Sequence, residues 1–307
     1  VKDSEYPAIA LVTIWYRAAE AIDRYIANLK NLDYPSITPV LVIHQQSRQE
    51  VDRLRANVPG ALILEPGGNL GSAAGWNLAI RRLLTGNEVA YVGIWNVDVT
   101  LDARCPKHLV ATMEADTSIG ACQPLIFFAD EPAVVQMYGG TLDLSSGQGS
   151  HDYQGTVDLH RLPPVRDAQY LDGGTMLIRS EVLRRAGVFD ENFFMYSEDS
   201  DLSVRIRKAG YRTVAVRDAW AWHHHGSSQG ELPRPYQLFY ETRNRFHLVR
   251  KHGSWATWLR LVVETSLRSP RNLFYFLRRR KLDLVCAYAV GFASGVAGMM
   301  GKQGWVD

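Results

Sequence analysis

Along the first hundred residues, short unbroken apolar runs alternate with stretches in which apolar residues recur every three or four positions. Residues 8–15 (AIALVTIW) read as a buried strand, and between 18 and 32 the residues Ile22, Tyr25, Ile26 and Leu29 fall on one helical face. Further short strands are expected at 40–44 and 61–64, with a polar stretch rich in helix formers between them; 72–84 has helical spacing and 89–95 is strand-like again. This alternation predicts an α/β domain with a parallel sheet. Functional groups in such sheets gather beyond the carboxyl ends of the strands, which directs attention to the segments just after Trp15, Ile43, Leu64 and Trp95. Residues 129–168, rich in Gly, Asp, Ser and Pro, read as hairpins and loops. Strand and helix patterning returns at 169–178, 198–209 and 212–216, and from Pro235 onward the pattern is helical.

The chain has 307 residues, 46% hydrophobic and 21% charged, which excludes a wholly disordered, collagenous or coiled-coil protein. A net charge of +2 argues against a nucleic-acid partner. Residues 242–281 nevertheless carry eleven Lys/Arg against one acid, so any basic partner surface is expected at the C-terminal end. Cys105, Cys122 and Cys286 are widely spaced and odd in number, which suits a reducing compartment rather than a disulfide framework or thiolate cluster. The opening VKDSEYP has no basic-then-apolar leader, so a cytoplasmic location is expected. The charge-free run 284–300, rich in Gly and Ala, falls short of the ~18–20 apolar residues of a spanning helix and reads as an amphipathic or core-docked one. The adjacent RRRK at 278–281 suits anionic lipid headgroups; a solvated basic helix face is the alternative.

Four clusters carry candidate chemistry. In IWNVDVTLD (94–102), Asn96 and Asp98 stand on one side of the chain where a strand ends. A hard divalent ion that bridges phosphate oxygens needs only one or two such carboxylates, whereas a strand-to-turn cap would use Asp98 locally. In PGGNLGSAAGWN (66–77), small residues before a helix either admit a phosphate at the helix N-terminus or merely make a tight connection; neither a Walker A nor a G-x-G-x-x-G pattern is present. In FDENFFMYSEDSDLSVRIRKAGYR (189–212), Glu198, Asp199 and Asp201 open a helix, where acids favour the helix dipole and Asp201 can pair with Arg205 at the surface. The functional reading aims one of the first two acids into a cleft, ionised and able to take a proton from an alcohol. In WAWHHHGSS (220–228), neighbouring side chains diverge, so at most one of the three histidines is expected on a given ion.

In this order the clusters resemble the family-two inverting glycosyltransferases, most of all their rhamnosyltransferase-like branch. The matching stretches are GGNLGSAAGWN (67–77), WNVDVTLD (95–102), the long segment 172–214 that opens DGGTMLIRS and contains SEDSDL, WHHHGSS (222–228) and YETRNRFHLVRKH (240–252). The resemblance implies a GT-A nucleotide-diphospho-sugar transferase fold, a mostly parallel central sheet flanked by helices with a helical C-terminal extension. It implies a catalytic domain over 1–234, nucleotide-binding to about 102 and acceptor-binding beyond, and a basic helical extension over 235–307. By motif position, Asp98 matches the metal-binding acid with Asn96 in the first place of the D-x-D-like motif, His223 a metal-ligating histidine, and Asp199 the catalytic base with Glu198 orienting or polarising the site. Gly173 and Gly174 match the acceptor-side turn. The donor side is expected to involve Thr13, Trp15, His44, Gln45, Asn69, Gly71, Asn77, Asn96 and Asp98. One departure stands out: His44 in VIHQQSRQE (42–50) replaces the acid that ordinarily contacts the nucleoside, leaving Gln45 or Gln46 to supply hydrogen bonds.

The resemblance therefore implies an inverting transferase that takes a sugar from a nucleotide-sugar, dTDP-rhamnose or a UDP-sugar, to a glycan or lipid-linked acceptor with Mg²⁺ or Mn²⁺. Work in cell-envelope polysaccharide synthesis, peripheral at the inner face of the plasma membrane, is implied with it. Two other readings are a catalytically silent nucleotide- or sugar-binding module, which the non-acidic His44 and Asn96 favour, and sugar transfer to a polyprenyl phosphate, which calls for clear spanning helices.

Overall fold

The computed structural model describes residues 6–86, 88–224 and 232–304. The first half alternates β1 (Ile9–Trp15), α1 (Ile22–Asn31), β2 (Ile37–Ile43), α2 (Arg48–Asn57), β3 (Leu62–Leu64), α3 (Gly71–Leu83) and β4 (Tyr91–Trp95), as the apolar pattern predicts. Next come β5 (Val99–Leu101), α4 (Cys105–Ala115), β6 (Ile119–Phe128), β7 (Val135–Met137), the hairpin β8 (Gly140–Asp143) and β9 (Gln148–His151), β10 (Val165–Asp167), β11 (Thr175–Arg179) and α5 (Ser180–Ala186). After α6 (Glu198–Lys208) and β12 (Arg212–His223), three helices close the described chain: α7 (Pro235–His252), α8 (Trp255–Arg278) and α9 (Leu282–Ala297).

The main sheet runs β10-β12-β6-β11-β4-β1-β2-β3, with β5 on β12 and β7 on β6. Strands β1 to β4 pair parallel, as do β6 and β12, and β11 lies antiparallel between β4 and β6. Alternation along each strand divides the core between two faces. Leu11, Leu41 and Ile43 join the layer under α1 and α4, whereas Ala10, Val12, Val40 and Val42 join the layer under α3, α5 and α6. The architecture is a mixed α/β sheet with helices on both faces and a helical C-terminal part.

Strand β6 is buried along its whole length although it contains Pro124, which has no N–H to give a neighbour. Its partner β12 bulges there: Val216 pairs with Pro124, and the next pair is Trp220 with Leu125. Beyond the bulge β12 runs on to His223 and reaches the carboxyl-end side of the sheet.

The C-terminal helices use their charge differently from the single basic surface expected over 242–281. Arg243 is fully buried, Arg250 donates to Val296 O at 2.8 Å, and Lys251 and His252 both reach Asp201 Oδ1 at 2.8 Å. The bases of α7 are thus largely structural, and the exposed ones lie on α8 and just after it. Asp201 and Arg205 do pair at 2.8 Å, but Asp201 is fully buried, so this is an interior charge network rather than a surface pair. Helix α9 lies on α7 through Gly291 and Gly295, where a Cβ would come 2.8 Å from Phe239 O and 2.7 Å from the Phe246 ring. Among the described residues no helix is long and apolar enough to cross a membrane.

Candidate active site

Two strand pairings and one amide-to-carboxylate bond bring the acidic and histidine clusters together. Antiparallel pairing of β5 with the end of β12 sets His223 opposite Val99, and the His224 amide donates to Asp98 O at 2.7 Å. Antiparallel pairing of β11 with β4 sets Thr175 opposite Trp95, and the Asn96 amide donates to Gly174 O at 2.8 Å. The first turn of α6 then abuts the same turn, because the Gly173 amide donates to Asp199 Oδ2 at 3.0 Å. One continuous line therefore runs from His223 and Asp98 through Asn96 and Gly174–Gly173 to Asp199.

At one end, His223 Nε2 lies 3.5 Å from Asp98 Oδ2, while its Nδ1 lies 3.0 Å from Gln136 Oε1. An amide oxygen only accepts, so with Gln136 in this orientation Nδ1 carries the hydrogen and Nε2 is left to face Asp98. Burial alone would lower the imidazole pKa, but the hydrogen bond and charge of Asp98, with Asp172 behind, hold it above its ordinary value. One carboxylate oxygen and one imidazole nitrogen at this separation suit adjacent positions around one Mg²⁺ or Mn²⁺. Among the described residues no group of three or more His, Cys, Asp or Glu gathers to hold a metal, so phosphate oxygens and water would complete such a shell. His224 turns its ring to Thr100 Oγ1 at 2.8 Å, and His225 lies outside the described residues.

At the other end stand two carboxyls with different surroundings. Asp199 is half-buried; its Oδ1 accepts from the Ser200 amide at 2.6 Å and its Oδ2 from Gly173. Burial, then the charge of Asp172, raises it to about 6. Glu198 is buried at 4% exposure; its Oε1 accepts from the Ser72 hydroxyl, and its Oε2 has no hydrogen-bond partner among the described residues. Burial, then the charge of Asp199, raises it to about 8. At neutral pH Asp199 is the ionised, accessible member and Glu198 the protonated, enclosed one.

That enclosure has a consequence for stability. Glu198 has a higher pKa folded than unfolded, so folding takes up a proton, and stability falls as pH rises from about 4.5 through about 8. Replacing Glu198 with Gln keeps the Ser72 contact and removes the buried charge. The Glu198→Gln protein is expected to melt about 3 °C or more above the parent at pH 8.5 and close to it at pH 4.5; equal melting temperatures at both pH values would refute the burial argument.

Asp172 was not singled out in the sequence, yet its charge bears on both His223 and Asp199, and its Oδ1 accepts from the Gly174 amide at 2.6 Å. Its position directly before Gly173–Gly174 was the available signal. Ser72, Gln136, Arg243 and Asn244 are the other site-shaping residues that motif reading passed over.

Several expected donor-side residues face elsewhere. Thr13 is fully buried with its hydroxyl 3.2 Å from Tyr25 Oη, and Trp15 is a core side chain set edge-on against Tyr25, because β1 turns them into the layer under α1. Asn77 is also fully buried, and its amide holds the 189–191 loop through Phe189 N, Phe189 O and Glu191 Oε1 at 3.0, 2.8 and 2.8 Å. Gln45 accepts from Arg17 at 3.0 Å, and buried His44 packs on α3 at Gly75, where burial and then the charge of Lys302 lower it to about 4. At the start of α3, Asn69 Oδ1 takes the Gly71 amide at 2.9 Å and Phe194 O takes the Ala73 amide at 3.3 Å. These two amides are occupied, which favours the tight connection over the phosphate-binding reading of 66–77. Gly71 has φ +78°, and a Cβ would meet Phe194 O and the Phe194 ring, so no larger residue fits.

Residues 156–237 match the family described as "Glycosyltransferase like family 2". The chain is 27% identical over 302 residues to the N-acetylglucosaminyl-diphospho-decaprenol L-rhamnosyltransferase of Mycobacterium tuberculosis, covering 90% of this chain and 97% of that protein. It is 24% identical over 304 residues to the low-salt glycan biosynthesis hexosyltransferase Agl10 of Haloferax volcanii, covering 96% and 92%. Among solved structures, the mannosyltransferase PcManGT from Pyrobaculum calidifontis with GDP-mannose and Mn²⁺ superposes with a TM-score of 0.59 at 15% identity, covering 95% of this chain and 88% of that one.

Proposed function

We propose that this relative of the family-two glycosyltransferases, which shares their GT-A fold, moves a sugar from a nucleoside-diphosphate donor to a hydroxyl of a lipid-linked glycan acceptor with inversion at the anomeric carbon. The observation that carries the reading is the single line of contacts from the Asp98–His223 pair to Asp199 through the Gly173–Gly174 turn. A donor lying along it would have its diphosphate at one end and its anomeric carbon near the other. The related mycobacterial rhamnosyltransferase supports a deoxyhexose donor and a sugar-diphospho-lipid acceptor.

Asp98 and His223 would hold Mg²⁺ or Mn²⁺, which when bound offsets the charge that builds on the departing nucleoside diphosphate. Asp199 accepts the proton of the attacking hydroxyl as that oxygen bonds to the anomeric carbon from the face opposite the leaving group. The Gly173 and Ser200 amides hold the carboxylate in one orientation. Protonated Glu198 places no second negative charge beside it. Asp172 fixes the Gly174 turn, and its charge adds to that of Asp98 in favouring the protonated imidazole.

Titration calorimetry with dTDP, UDP and GDP, with and without Mn²⁺, followed by release of nucleoside diphosphate from the matching sugar donors, tests this. Metal-dependent binding of one nucleotide and transfer with inversion are expected. Metal-independent binding with no turnover of any donor would instead support a silent binding module.

The location we propose is a membrane surface carrying anionic lipid. Along α8, Trp255, Leu259, Val263, Leu267 and Phe274 are exposed at spacings of four and seven, with exposed Arg260, Arg268, Arg271 and 278–281 beside them. Replacing Leu267 and Phe274 together with Glu is expected to weaken sedimentation with phosphatidylglycerol vesicles about ten-fold without lowering the melting temperature. Unchanged sedimentation would reject the surface.

A further inference from the structure

A cavity of about 620 Å³ opens beside the first turn of α6, walled by Tyr170, Tyr196, Ser200, Glu241, Arg245 and Asn272 among others. It adjoins the reaction centre without including Asp199 in its wall: Ser200, which lines it, donates its amide to Asp199 Oδ1 at 2.6 Å. Asp98 and His223 do not line it. A molecule seated here would lie beside the first turn of α6, apart from the Asp98–His223 pair.

The unusual group in the wall is Arg245. It is half-buried, and its Nε donates to Ser146 O at 3.2 Å, while its two terminal nitrogens bond nothing else among the described residues. Nor does any carboxylate of the described residues lie within ion-pair distance of it. Glu241, one turn earlier on α7, instead accepts from Gln237 at 2.9 Å. The β8–β9 turn fixes the Arg245 backbone, because a Cβ on Gly147 would come 2.6 Å from Arg245 O. A guanidinium stays charged even where burial lowers its pKa, as it does here. Partly withdrawn from water and with no ion pair among the described residues, its planar fork suits two phosphate oxygens.

We infer that this cavity is the acceptor subsite and that Arg245 binds a phosphate on the reducing end of the acceptor sugar, whose free hydroxyl faces Asp199. The inference rests on the transfer reading above for its acceptor and adds the cavity and the residue that would hold the acceptor's phosphate. Tyrosine, serine and asparagine around the walls offer ring faces and hydrogen bonds to a sugar between the two ends. The phosphate could belong to a lipid-linked diphosphosugar or to a free sugar phosphate.

Three probes separate these with the full chain: a short-chain prenyl-diphospho-N-acetylglucosamine, N-acetylglucosamine 1-phosphate and phenyl N-acetylglucosaminide, each titrated calorimetrically without donor. The anionic probes are expected to bind about ten-fold or more tightly than the neutral one. Arg245→Gln is expected to erase that preference, and Arg245→Lys to keep part of it. Tighter binding of the prenyl probe than of the 1-phosphate assigns the site to a lipid-linked acceptor, and equal binding assigns it to a free sugar phosphate. An anionic preference that survives in Arg245→Gln, or its absence from the unaltered chain, overturns the inference. Because binding is read without turnover, a chain that binds the anionic probes through Arg245 yet transfers no sugar would refute the transfer reading and leave the anion site standing.

Discussion

Asp199→Asn is expected to lower kcat about a thousand-fold while nucleotide binding in Mn²⁺ stays within about two-fold of the parent. The amide has the shape of the carboxylate but no basic oxygen for the hydroxyl proton. It also has one oxygen where the native side chain uses two, so it satisfies the Gly173 or the Ser200 amide but not both. Asp98 and His223 are untouched, so the donor end keeps its ligands. In the parent enzyme, activity should rise with a limb near pH 6, where Asp199 loses its proton. Glu198→Gln should cost far less at pH 7, because Glu198 is already protonated there. Parental turnover in Asp199→Asn, with loss in Glu198→Gln, would transfer the role of base to Glu198.

How much the sequence disclosed depends on how local each signal is. Strands β1, β2 and β4 appear as apolar runs because both of their faces are covered, and the acids after β4 and in the first turn of α6 appear because helix and strand ends concentrate polar groups. Strand β6 left no such trace: Pro124 argues against a central strand until the bulge in β12 is known. The direction of side chains at strand ends was equally hidden. Thr13 and Asn77 sit in motifs that border the cleft, but alternation and helical phase turn them inward. Asp172 matters through its distance from two groups remote in sequence, which no spacing rule encodes. The Arg-Asn pair at 243–244 read as part of a basic segment because its partners are carbonyl oxygens, which carry no sequence signature.

That pair bears on catalysis through the loop before α6. Phe194, Tyr196 and Ser197 all have positive φ, at 65°, 66° and 69°. None is glycine, and each such residue costs on the order of 1–3 kcal/mol unless its surroundings hold it. Asn244, fully buried, does so: its Nδ2 faces the carbonyls of Phe193, Met195 and Tyr196 at 3.1, 2.7 and 2.7 Å. Arg243 Nε bonds Asn244 Oδ1 at 2.9 Å and its Nη2 reaches Phe193 O at 2.8 Å, so the clamp is itself braced. The strained loop ends on Glu198 and Asp199, and the helix they open can sit against Gly173 only while the loop is held. Asn244→Ala leaves those carbonyls short of donors and is expected to cost about 2–4 kcal/mol in stability. For the folded fraction, kcat should fall about a hundred-fold, the scale of a misplacement near 1 Å. The alkaline-rising limb should also move below pH 6, because an Asp199 released into solvent loses the burial that raises it. Asn244→Asp should fare worse than Ala, since a carboxylate turned toward carbonyl oxygens repels them. If thermal unfolding shifts while kcat and the pH profile of the folded enzyme remain parental, Asn244 stabilises the fold without aiming the base.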